Sequence, residues 1–207
     1  MTGSLLTWTT PDATTRLQPG CRLAVVAADI SAARDLRQVT RHSDLQGRPG
    51  WRVSRPDGCK SLVISADHRL LAGQDVMSSL RLTLALARDG RRAGDDADTR
   101  RCRQALARVQ TCVPLPAEAP VETLSLQQQL AAQWATAWLL PHDLVWLDRP
   151  GQELSARERE QLLALSDAHR HDHPLRAQVL VDLTPPSPDW AAATTIFWEH
   201  RQNEDQS

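Results

Sequence analysis

The chain has a single lysine, Lys60, no closely spaced cysteine pair and no apolar run long enough to cross a bilayer. Each shortage excludes something. Cys21, Cys59, Cys102 and Cys112 show neither zinc-ligand spacing nor a disulfide framework, so they read as reduced, buried thiols. A spanning helix needs about 20 consecutive apolar residues, and the N-terminus does not read as a signal peptide. Any membrane association is therefore expected to come through a protein partner. A net charge of -1 gives no basic footprint for nucleic acid. What remains is an ordinary globular composition, 41% hydrophobic and 24% charged, over 207 residues: enough for one core with a lobe attached.

The apolar pattern alternates between strand-like and helix-like segments. Leu23 to Val26 follows the turn Pro19-Gly20 and predicts a buried strand, with Ser31 to Val39 helical behind it. Gly47 to Gly58, with its glycines, prolines and Trp51, predicts a hairpin or irregular connection. Leu62 to Ser65 predicts a further strand. Helical periodicity marks Asp75 to Ala87 and Thr99 to Val109, separated by a charged loop from Arg88 to Asp98. The three prolines of Val113 to Pro120 make a non-helical connector. A long helix runs from about Ser125, its N-cap, to Leu140. Leu144 to Leu147 is the most apolar strand, Ser155 to Ala168 a helix supported at its start by Glu158, and Val179 to Val181 and Thr195 to Trp198 the last strands. Gln202 to Ser207 reads as a frayed end. Alternating strands and helices predict an α/β fold with a mostly parallel sheet. The strand-free block 73–139 predicts an all-helical lobe inserted into a core made of 1–72 and 140–207.

The most specific stretch is Leu124-Ser125-Leu126-Gln127-Gln128, then a helix, then Leu144-Val145-Trp146-Leu147-Asp148-Arg149-Pro150. It resembles the LSGGQ signature and Walker B strand of the ABC-transporter nucleotide-binding domain. Upstream, Ala66-Asp67-His68-Arg69-Leu70-Leu71 looks like that family's Q-loop segment, nearest to the cell-division, lipoprotein-release and lipid-transport ATPases. Pro19-Gly20 and Leu23 to Leu36 stand where the strand, Walker A loop and helix belong. Gly151 to Ser155 falls at the D-loop and Val179 to Thr184 at the strand leading to the switch histidine. The resemblance implies a P-loop NTPase-like, RecA-like core with a helical signature subdomain. It also implies dimers that sandwich ATP between one subunit's P-loop and the other's signature, and a transmembrane permease docked beside His68, Arg69, Leu70, Leu71 and Val76 to Leu80.

Against that pattern several side chains differ. A phosphate-binding loop needs glycines, so that amides can wrap the phosphates, and a lysine to neutralise them. The aligned residues Ala27 to Asp35 contain no glycine; Ala27 and Ala32 stand in the loop, Ala33 at the lysine, Arg34 at the magnesium hydroxyl and Asp35 beside it. Lys60 lies outside this unit. Ala66 takes the glutamine position, Thr184 (or Leu183, if the register slips by one) the switch histidine, and Arg149 the general base, which a guanidinium cannot be. Asp148 survives from Walker B, and Leu126 and Gln127 replace the signature glycines. The expectation is a chain that is no enzyme itself and holds no cofactor or metal. ATP and magnesium are expected only in the site of an active partner ATPase, to which Ser125 and the start of its helix would contribute.

Its partners would be an active ABC ATPase subunit (a heterodimer) or a second copy of itself, together with a permease. Its place would be the inner face of the cell membrane. The alternative is a nucleotide-independent scaffold that uses the fold for protein contacts. His169, His171 and His173 lie where a loop is expected and read as solvated rather than metal-binding. Trp134, Trp138 and Trp146 read as core, with an exposed partner patch the alternative.

Overall fold

The computed structural model describes residues 3–46, 50–68, 70, 72–87, 95–151, 153–185, 190 and 194–198. The chain divides into two compact units, Met1–Val63 with His142–Arg149 and His173–Ser207, and Ile64–Pro141 with Pro150–Asp172.

The first unit carries the strands β1 (Leu6–Thr9), β2 (Thr14–Leu17), β3 (Arg22–Ala27), β4 (Asp44–Gln46), β5 (Arg52–Ser54), β7 (Leu144–Asp148), β8 (Ala177–Asp182) and β9 (Thr194–Trp198); β6 (Ser61–Ser65) begins in it. Helix α1 (Ile30–Arg37) runs on through a short 3-10 turn, Gln38–Thr40. One sheet has the order β6-β7-β8-β3-β9, in which β7–β8, β8–β3 and β3–β9 are parallel. Every residue of β3 and β7 is buried, as expected of parallel strands covered on both faces. The second sheet, β2-β1-β5-β4, is antiparallel. There β1 alternates, with Leu6 and Trp8 buried and the threonines half-buried, the mark of a sheet with one face on a core. Trp8 and Trp51 both meet the Trp198 ring edge-on, at 5.1 and 5.8 Å between centroids. Leu36 of α1, Trp146 of β7 and Val179 of β8 share this core. At the entry to β3, Gly20 has a φ of 76° and lies against the Pro174 carbonyl, so a side chain there would be excluded twice over.

The second unit is helical: α2 (Val76–Leu86), α3 (Asp95–Gln110), α4 (Leu126–Leu139) and α5 (Ala156–Asp172). Helix α4 packs against α2, α3 and α5, and its residues from Leu130 to Ala137 are all buried. Asp75 caps α2 by accepting from Ser78 N at 2.7 Å. Ser125 and Gln128 form a reciprocal capping box on α4, and Ser155 and Glu158 do the same before α5.

Several expectations need correction. The β1–β2 hairpin was not foreseen. Asp44–Gln46 pairs with Arg52–Ser54 across the glycine-rich stretch, giving the hairpin alternative, although 47–49 lie outside the described residues. Helix α3 starts at Asp95, inside the expected loop, whose residues 88–94 are not described. Helix α5 continues to Asp172, so His169 and His171 are helical and only His173 lies beyond it. Cys59 and Cys102 are buried, but Cys21 is exposed and Cys112 partly so. Burial pushes the Cys59 thiol up. The stretch 202–207, expected to be frayed, lies outside the described residues.

Candidate functional site at the carboxyl ends of strands β3 and β7

In a parallel sheet, ligand chemistry gathers beyond the carboxyl ends of the strands. In the first unit two elements place the sequence-expected residues there. Ala27 ends β3, Ala28 and Asp29 turn the chain, and Ile30 already begins α1. The stretch read as an aligned loop is therefore mostly helix. Ala32 and Ala33 are fully buried against the core, Arg34 is exposed, and Asp35 is half-buried. Asp29 caps the helix: its Oδ1 accepts from Ala32 N at 2.8 Å. A carboxylate thus takes the place at the helix start where an anion would be favoured.

At the end of β7, Asp148 is fully buried and its two oxygens are divided between two guanidiniums. Arg149 Nε donates to Oδ1 at 3.0 Å, and Arg37 Nη1 donates to Oδ2 at 3.1 Å. Arg149 is itself buried and has a φ of 47°, the left-handed region that a side chain seldom adopts; its N–H donates to the Val181 carbonyl at 2.8 Å. Arg37 was not singled out by the sequence reading, and no local pattern marks it: the pair spans 111 positions. Thr184 lies exposed just beyond β8, after Leu183, whose N–H donates to Asp182 Oδ1. Lys60 is exposed, and its backbone N–H donates to Asp143 Oδ2 at 2.8 Å.

The resemblance implies a magnesium nucleotide at such a strand end. The residues do not fit one as arranged, because guanidiniums engage both oxygens of the carboxylate and an acid caps the helix amides. Among the described residues no group of three or more His, Cys, Asp or Glu side chains is gathered as a metal set.

The remaining residues belong to the helical unit. Ala66 and His68 are half-buried in the turn after β6; Leu70 is half-buried, and Arg69 and Leu71 lie outside the described residues. Gln133, which the sequence reading also missed, binds this turn from α4. Its Oε1 accepts from Ser65 N at 2.9 Å, and its Nε2 donates to Ser65 O at 3.0 Å and His68 O at 2.7 Å. An amide inside the apolar run Leu130 to Ala137 was the available signal. Of the signature-like residues only Ser125 is exposed. Leu126 and Gln128 are half-buried, and Gln127 is buried with its Nε2 donating to Gln161 Oε1 at 2.6 Å. His169 is buried between Trp134 and Trp138, with ring centroids at 5.3 and 5.2 Å, and Trp138 Nε1 donates to Asp172 Oδ2. Trp134 therefore packs inside, as does Trp146 in the first unit, while Trp138 is half-buried.

No protein-family model and no curated protein sequence matches the chain. Solved structures do. The chain is 15% identical to a transporter of the metal-chelate ABC type in an inward-facing conformation, covering 95% of this chain and 79% of that one with a TM-score of 0.73. It is 12% identical to CbiO1 of Clostridium perfringens, part of the ABC transporter complex CbiONQ, covering 88% and 79% at 0.67. It is also 12% identical to MJ0796, a bacterial ABC transporter cassette solved as a dimer, covering 94% of both chains at 0.65. These likenesses overturn the expectation that the chain is no enzyme: the fold it shares is that of ABC-transporter cassettes, and nothing in the comparisons marks this chain as degenerate. The parallel sheet, the antiparallel sheet and the inserted helices together give this chain the fold of an ABC-transporter nucleotide-binding domain.

Proposed function

We propose that the chain is the cassette subunit of a membrane transport complex, docked on a transmembrane permease and paired with a second cassette. That second cassette is an active ATPase subunit or a copy of this chain. The observation that carries the reading is the fold likeness to transporter cassettes over nearly the whole chain. Where that second cassette is an active ATPase subunit, ATP and magnesium enter, in this reading, through its phosphate loop. This chain brings Ser125, exposed at the capped start of α4, to complete that site. Helix amides there favour an anion. No helix among the described residues is long and apolar enough to cross a membrane, which agrees with attachment at the inner face through the permease. The segment from Ala66 to Leu71 supports a lipid or lipoprotein cargo, whereas one structural neighbour is of the metal-chelate type. The permease sets the cargo.

The test is purification of the tagged chain from its native membrane in mild detergent. A polytopic membrane protein and a second cassette are expected in the particle, with ATP turnover by the whole complex. A stable native particle without any membrane protein overturns the reading.

A further inference from the structure

The buried carboxylate of Asp148 needs one positive partner, and Arg149, next to it in the chain, already provides one. A buried ion pair satisfied by its neighbour requires no third group for neutrality. Yet Arg37 also reaches it, from the last turn of α1, at 3.1 Å. The second guanidinium is only partly enclosed, with 23% of its side chain exposed, while the Asp148 side chain is wholly buried. The two arginines do different things. Arg149 adjoins Asp148 in the chain, so its bond to that carboxylate ties no second element. Arg37 joins two elements, α1 and β7, whose buried residues Ala33, Leu36 and Trp146 belong to one apolar core.

We infer that the Arg37 guanidinium is the resident cation of this strand end: by holding Asp148 it clamps α1 to β7, the bridging role that a divalent metal could otherwise fill at such a carboxylate. The clamp works together with Asp29 at the opposite end of α1, so the helix is tied at its start by an internal anion and at its end by an internal cation. The strand–helix–strand unit β3–α1–β7 is thereby ordered without ligand. The inference concerns residues within one unit and stands apart from the transport reading.

Thermal unfolding of the purified full chain tests it. The wild-type midpoint is expected to be the same in chelator and in millimolar magnesium, since a metal that bound the folded state would raise it by mass action. Arg37→Met and Asp148→Asn are each expected to lower the midpoint by about 5–10 °C, from the cost of breaking an enclosed pair in a chain of this size. The double variant should fall by less than the sum of the two losses, because they remove one shared interaction. A magnesium-dependent rise of the wild-type midpoint overturns the inference, and so do strictly additive losses. Should Arg37→Met fail to fold, Arg37→Lys keeps the charge without the planar fork. It is then expected to speed amide exchange in α1, and unchanged exchange there would count against the clamp.

Discussion

Gln133 satisfies three backbone groups with one side-chain amide: the N–H and carbonyl of Ser65 and the carbonyl of His68. Replacing it with leucine keeps the volume and withdraws every one of these bonds inside the helical unit. Lost hydrogen bonds at buried groups cost about 1–3 kcal/mol each when desolvation is not recovered, and partial relaxation brings Gln133→Leu to about 3 kcal/mol. Urea unfolding measures this, and a loss under half a kcal/mol would refute it (roughly the level of an ordinary surface change). Arg149 offers a second comparison at the same scale. Both Arg149→Ala and Arg149→Gly delete the bond to Asp148, but only glycine accepts a φ of 47° without strain. The glycine variant is expected to be the more stable of the two by about 1 kcal/mol. Equal stability would mean that the backbone there is not strained. These residues also show what a sequence discloses. Ser125 was readable because its partner Gln128 is three positions away, in a recurrent capping pattern. Arg37 and Asp148 are brought together only by the folded sheet.

At the scale of elements, local chemistry decides most helix starts, and tertiary packing decides where helices end. Asp75 caps α2 through Ser78 N and Ser78 Oγ, and the backbone bond from Ser78, followed by the Ser78 hydroxyl, holds its carboxyl below the ordinary value. A depressed carboxyl contributes stability that is present above the ordinary carboxylate range and lost as pH falls through the folded value. Asp75→Ala is therefore expected to cost about 1 kcal/mol at neutral pH. The gap to wild type should close as pH falls below about 4. Denaturant curves for the two proteins across this range supply the measurement, and a gap independent of pH would contradict it. The end of α5 was less legible. Polar residues from His169 onward look like a loop, but His169 is drawn into the helical unit between two indoles, and the helix lasts until Pro174 approaches. Likewise β1 and β2 carried usable signals, the alternation of Leu6 to Thr9 and a turn at Pro11-Asp12. Their threonine-rich shortness gives little periodicity to read.

At the scale of the whole molecule the two units draw on interleaved stretches of chain, and this bears on how they unfold. The first unit keeps most of the tryptophans, namely Trp8, Trp51, Trp146, Trp190 and Trp198, while α2 to α5 all belong to the second. Indole fluorescence therefore reports chiefly on the strand-rich unit, and the far-ultraviolet helical signal on the other. Strand β6 runs from one unit into the next, and β7 has helical-unit segments before and after it. Loss of the sheet would free both ends of every segment in the helical unit, raising the entropy that its own packing must offset. The expectation is one cooperative transition, with fluorescence and circular dichroism giving coincident denaturant midpoints, as a two-state chain requires. Separate midpoints, with the helical signal surviving after the indoles are exposed, would show that α2 to α5 stand without the sheet. Trp134→Phe and Trp138→Phe variants sharpen the assignment, because they leave fluorescence to the first unit alone.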